Sequence, residues 1–307
     1  IFDTSPTGFP AHAQAGVDTH GQKLSALATA AVCDDDDDCV AIPVTREALS
    51  YKTDGGSASR DSGSGSVGSL GDLARSIHDQ VLMWEDSYSD HPQVLNLSLG
   101  WNPAFGGSEG TAGDMSPPVS AVYDALRYAS CQGALVVAAA GNRDLPTTET
   151  EAVGPVYPAA WETHDAPDAE TCETYLGKHW VGIDPIDGEA YAPLVYAAGA
   201  IDTTGETRAT QRPDSQPMHV AAGAHLTAYN AYLDATLDPI SGTSAATVLV
   251  SSAAAVVRSH APDASAHTIM RLLRESATTT VQDNADVCLG TKCDASSVIQ
   301  VCDCLLY

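Results

Sequence analysis

The serine of Ser241-Gly242-Thr243-Ser244-Ala245-Ala246 stands directly ahead of "AATVLVSSAAAVV" (245–257), a run that is apolar almost all round. A helix of that composition belongs in the middle of a fold. A serine in a small-residue turn at its start lies among free backbone N–H groups and at the positive end of the helix dipole. An oxyanion forming there is stabilised. The same turn taken alone would also serve as an ordinary helix cap. Other chemistry-bearing residues sit at element ends. His20-Gly21 opens a segment with Leu24, Leu27 and Ala28 on one face, and Asp3 follows an apolar pair in "IFDTS". "VLNLSLG" (94–100) ends in Ser98-Leu99-Gly100, and "GALVVAAAGN" (133–142) ends in Gly141-Asn142. A further stretch, "AVCDDDDDCVA", sets five aspartates between Cys33 and Cys39. It reads as a metal site, a disulfide-tied loop or a solvated charge run.

The elements that must position these residues follow an alternating pattern. Short apolar runs at "CVAIPV" (39–44), "VLNLSL" (94–99), "ALVVAA" (134–139) and "LVYAAGAI" (194–201) are nearly continuous, as strands buried on both faces should be. Between them, Leu73, Ile77, Val81 and Trp84 fall at helical spacing, as do Val122, Leu126 and Ala129 after Ser116-Pro117-Pro118. Ile269, Leu272 and Leu273 make another one-sided helix beyond Pro262. All three stripes are core packing. Strands alternating with helices predict βαβ units around a parallel sheet. Segments 53–69, 100–115 and 162–193 read as loops.

The chain has 307 residues, 44% of them hydrophobic, enough for a large core. Its formal charge of −26 comes from 40 acidic residues against 14 basic ones. Such a surface repels phosphate backbones and anionic membranes, so nucleic-acid binding is excluded as a leading reading. High net charge serves solubility. No apolar run reaches the ~18 residues a membrane span needs. Eight cysteines point to an oxidising compartment, and the zinc pattern of repeated Cys pairs is missing. Disulfides are the preferred reading, with about 105 possible connectivities for eight cysteines.

Taken in order, these blocks resemble the subtilisin-like serine peptidases, the subtilases. The residues that carry the resemblance are Asp3-Thr4-Ser5, His20-Gly21, Ser98-Leu99-Gly100, Ala139-Ala140-Gly141-Asn142 and Gly242-Thr243-Ser244-x-Ala246. Any one block is weak, but five in the family's order are strong. The resemblance spans essentially the whole chain, down to "DASSVIQ" (294–300), which looks like the closing helix. It implies one three-layer α/β/α domain over residues 1–307 with a mainly parallel sheet. Ser244 would attack the peptide carbonyl, His20 act as general base and Asp3 orient the imidazole. The Asn142 amide and the Ser244 N–H would bind the oxyanion. Ser98, Leu99 and Gly100 would pair with an extended peptide substrate. Ala139, Ala140 and Gly141 would form the facing wall of a pocket that small residues leave open and tolerant.

Departures from the family pattern are local. Gln22-Lys23-Leu24-Ser25-Ala26 replaces the usual Thr-His-Val-Ala-Gly, and Val248 replaces a proline. Asp18 is the alternative acid, although two residues before His20 it reads as a turn or cap residue. Only Ile1 and Phe2 precede Asp3, so an upstream segment or a separate chain is expected to complete that strand. In subtilases that bind calcium, a loop interrupting the His helix often supplies ligands. Asp34, Asp36 and Asp38 are therefore candidates for a structural calcium, and a Cys33–Cys39 bridge is expected. Consecutive carboxylates splay apart, unlike the alternating ligands of a dedicated calcium loop. No cofactor is needed for the chemistry. The expectation is a secreted, extracellular or periplasmic endopeptidase. The alternatives are a transpeptidase or macrocyclase using the same triad and an inactive scaffold used for binding.

Overall fold

Strand β4 (Leu135–Ala139) is buried at every residue, and its side chains divide between two faces. Leu135 and Val137 join one hydrophobic cluster while Val136 and Ala138 join another, as the period-two geometry of a strand requires. Strand β5 (Tyr196–Ile201) divides in the same way, with Tyr196, Ala198 and Ala200 on one side and Ala197 on the other. The computed structural model describes residues 1–3, 19–33, 39–47, 69–88, 93–142, 154–177, 190–201, 212, 219–222, 226, 229–230, 235–236, 239–277, 288–289, 292–293 and 297–299.

Within these residues β3 (Val94–Leu97), β4, β5, β6 (His219–Ala222) and β11 (Ser297–Ile299) form a five-stranded sheet in the order β11-β6-β5-β4-β3. Every neighbouring pair is parallel. Strand β1 (Phe2–Asp3) pairs in parallel with β2 (Arg46–Glu47), and its Phe2 enters the main core. Two small antiparallel pairs, β7 (Tyr229–Asn230) with β8 (Ala235–Thr236) and β9 (Cys288–Leu289) with β10 (Lys292–Cys293), complete the strands.

Helices cover both faces. Leu73, Ile77 and Val81 of α2 (Leu70–Tyr88) and Val122, Leu126 and Ala129 of α3 (Pro117–Cys131) cover one. Ala246, Val250 and Ala253 of α5 (Thr243–His260) cover the other, with Ile269, Met270 and Leu273 of α6 (Ala266–Ser276). The architecture is the expected three-layer α/β/α. Each fully buried aliphatic side chain in these stripes contributes about 1.5–3 kcal/mol relative to exposure. Among the described residues the other α-helices are α1 (His20–Val32) and α4 (Ala169–Leu176).

Three local expectations are corrected. Of the run 39–44 only Cys39 enters a bridge, and the strand lies at β2 instead. Pro43 lacks a ladder donor and Ile42 is 63% exposed, so this run is no buried strand. The described part of the stretch 294–300, residues 297–299, is not helix but β11, which holds two β-branched residues and pairs with β6. Within 162–193 stands α4, started by Asp168 accepting from the Thr171 N–H at 2.8 Å and ended by Gly177 at φ 62°. Its Cys172 is bonded to Cys131 of α3. The 41-residue separation of that pair corresponds to about 4 kcal/mol in the chain-entropy model.

Candidate active site

His20 is the first residue of α1, and a reciprocal cap fixes that end. The Gln22 N–H donates to Thr19 Oγ1 at 3.2 Å, and the Thr19 N–H donates to Gln22 Oε1 at 2.9 Å. This Thr-x-x-Gln box accounts for Gln22, which departs from the family's usual sequence. The signal was present in the sequence as a threonine three residues ahead of a glutamine. With the helix start fixed, His20 Nδ1 lies 2.9 Å and 3.0 Å from the two carboxylate oxygens of Asp3. Asp3 is 2% exposed and His20 16%, so the carboxylate is sunk beneath the ring. Asp18 lies outside the described residues.

Ser244 is the second residue of α5. Its hydroxyl donates to the Ser98 carbonyl at 3.1 Å, and the Ser98 hydroxyl donates to the Ser244 carbonyl at 2.9 Å. Among the described residues, that reciprocal bond rather than one to His20 holds the Ser244 hydroxyl. The Ser98 side chain is turned inward, and its Oγ also accepts from Asn96 Nδ2 at 3.0 Å. Ser251, one face along α5, donates to Asn96 Oδ1 at 3.1 Å. The buried polar line Ser251–Asn96–Ser98–Ser244 fastens the end of β3 to the start of α5.

The end of β4 is fastened to the same turn. Asn142 Oδ1 accepts from the Thr243 N–H at 3.0 Å, and the Gly141 N–H donates to Thr243 Oγ1 at 3.1 Å. With Oδ1 engaged, Nδ2 is the donor that Asn142 can offer a ligand. Gly242 has φ 94°, and a Cβ there would fall 2.6 Å from Asn142 Oδ1. Glycine is required at that position both for the backbone and for the approach. The chain thus brings Ser98, Asn142, Thr243 and Ser244 together at one helix start.

The two helices pack against each other. Leu24, Leu27 and Ala28 of α1 share a hydrophobic cluster with Ala245 and Val248 of α5 and with Ile240. Val248, in place of a proline, is 1% exposed within that contact. Leu99 packs partly buried against the main core, and Ala139 and Ala140 are buried. The gap between Gly100 and Gly141 is not the open space expected from small walls. A Cβ on Gly100 would fall 2.5 Å from Val156 Cγ2, and one on Gly141 would fall 2.7 Å from Val156 Cγ1. Val156 lies across the gap, and no sequence motif marked it.

The family model described as "Subtilase family" matches residues 6–290. The chain belongs to the subtilase family. Asp3 lies just ahead of the matched span. Among solved structures, this subtilase is similar to "Sphericase", with 18% identity over 90% of this chain and 76% of that one and a TM-score of 0.53. It is similar also to the prenylagaramide maturation protease PagA, with 17% identity over 93% and 80% of the two chains and a TM-score of 0.54. These likenesses show the fold. No curated protein matches the sequence at a significant level.

In this subtilase Cys33, at the end of α1, is bonded to Cys39. Asp34, Asp36 and Asp38 lie outside the described residues. Among the described residues, no group of three or more His, Cys, Asp or Glu is arranged to hold a metal ion. Among them, too, no helix is long and apolar enough to cross a membrane.

Proposed function

We propose that this subtilase is a serine endopeptidase that hydrolyses peptide bonds through an acyl-enzyme. The observation that carries this reading is the Asp3 carboxylate holding His20 Nδ1 with both oxygens, on a helix packed beside the one Ser244 begins. A carboxylate on Nδ1 fixes the tautomer in which Nε2 can take a proton, and it stabilises the imidazolium that results. Ser244 Oγ leaves the Ser98 carbonyl, gives its proton to His20 Nε2 and attacks the substrate carbonyl. The Ser244 N–H at the α5 start and the Asn142 amide stabilise the oxyanion. His20 returns its proton to the leaving amine, and water then resolves the acyl-enzyme by the same route. Residues 98–100 receive the extended substrate by main-chain pairing. The Cys33–Cys39 and Cys131–Cys172 bonds support a site of action outside reducing compartments.

A fluorophosphonate probe tests the reading. The folded protein is expected to be labelled at Ser244, with Ser244→Ala folded but unlabelled. Folded protein that remains unlabelled, or is labelled equally after Ser244→Ala, would reject it.

A further inference from the structure

We infer that the site selects peptides whose residue on the acyl side of the scissile bond is small, glycine or alanine, because Val156 closes the space a larger side chain would need. This inference rests on the peptidase reading of Ser244. It names the substrate class that reading leaves open.

The space in question is fixed by the nucleophile. Ser98 O lies 3.1 Å from Ser244 Oγ on one side, and the Gly141 N–H is bonded to Thr243 Oγ1 on the other. A peptide whose carbonyl carbon meets Ser244 Oγ must direct the side chain of that residue between the two strand ends, 98–100 and 139–141. Val156 spans this gap from wall to wall, one methyl toward Gly100 and the other toward Gly141. Both walls lack a Cβ where Val156 touches them, so the contact needs both glycines. Val156 is only half-buried, so it keeps surface that a substrate side chain can meet.

Val156 is a fixed floor rather than a gate. Its N–H donates to the Ala140 carbonyl at 3.0 Å, while Tyr157 and Trp101 exchange both main-chain bonds at 2.8 and 3.0 Å. The segment is therefore stitched to both walls at once. Arg212 Nε holds the Gly154 carbonyl at 2.8 Å just upstream, with its Cδ against the Gly141 position. A β-branched side chain has little freedom to swing its methyls aside. Withdrawing Val156 would break three main-chain bonds, so the floor stays in place when substrate arrives.

The test uses the full chain, Val156→Ala and Val156→Gly with peptide anilides carrying Gly, Ala, Leu or Phe before the anilide. Rates are referred to the amount of Ser244 labelled by fluorophosphonate. Wild type is expected to prefer Ala over Phe by about 100-fold, and Val156→Gly to shift that ratio toward Phe by about 10–100-fold. Val156→Ala should admit Leu before Phe. The ratio of two substrates on one preparation cancels the folded fraction, so partial unfolding cannot imitate the shift. Labelled wild type that cleaves Phe as well as Ala overturns the inference and leaves the peptidase reading standing. So does an unchanged ratio in both variants. Folded protein without labelling overturns both.

Discussion

The serine end of the site and the acid end are built in different ways. Ser244 lies in the first turn of an 18-residue helix that packs on the sheet, and side-chain bonds tie that turn to the ends of both β3 and β4. Asp3 ends a two-residue strand whose ladder partner is the equally short β2, with Phe2 as its anchor in the core. His20 stands between them on a capped helix. At the serine end, geometry and stability share the same bonds. At the acid end, the Asp3 carboxylate orients the His20 ring from a strand of two residues. Substitutions at the two ends should therefore separate activity from stability in opposite senses.

The largest effect is expected from Asp3→Asn. The amide keeps the shape of the carboxylate but has one acceptor oxygen instead of two, presents an N–H that favours the wrong imidazole tautomer, and carries no charge to stabilise a charged ring. By analogy with the same change in other serine-peptidase triads, kcat should fall by about 10⁴-fold. The melting temperature should move by no more than a few degrees. Peptide hydrolysis and calorimetry on the same preparation check both parts. A collapse of the fold at Asp3→Asn would break the comparison, because the acid end would then carry stability as well.

Ser98→Ala is the converse, and its effect on rate should be smaller. It removes the donor to the Ser244 carbonyl and the acceptor for Asn96 Nδ2, both buried. Leaving such groups unsatisfied costs about 1–3 kcal/mol. Urea unfolding should show that loss with an unchanged m-value, while kcat falls only about tenfold. An intact stability at Ser98→Ala would mean that the polar line from Ser251 to Ser244 does not fasten the helix start.

The same contrast explains which features are legible in the sequence. The parallel sheet and strands β3, β4 and β5 follow from continuous apolar runs, because a strand buried on both faces has no polar residues to confuse its pattern, while the three-layer arrangement is what the family resemblance implies. The α5 start was legible for a similar reason: small residues ahead of an all-apolar helix have few other uses. Residues that act through cross-chain contact left no such trace. Val156 lies in an ordinary apolar pair, and only the fold brings it between Gly100 and Gly141. The Cys131–Cys172 bond joins residues 41 apart that spacing could not pair. The run 39–44 looked like a strand because hydropathy counts Ile42 and Val40 without seeing that both are exposed.

The smallest effect tests how far His20 depends on its cap. Thr19→Ala deletes the acceptor for the Gln22 N–H and loosens the side chain that returns the bond to Thr19. N-cap substitutions of this type cost about 1 kcal/mol, which in a domain of this size lowers the melting temperature by about 2 °C. The imidazole, however, is held by both oxygens of Asp3, on which the cap does not act directly. Activity should therefore fall less than about threefold, and Thr19→Ser, which restores the acceptor, should recover the melting temperature. The two readouts decide between two accounts of the acid end. If Thr19→Ala lost activity on the scale of Asp3→Asn while staying folded, the helix cap would be what places His20. The Asp3 bonds would then be a consequence of that placement. If stability moves and activity does not, the buried carboxylate alone sets the ring, and the cap serves only the helix that carries it.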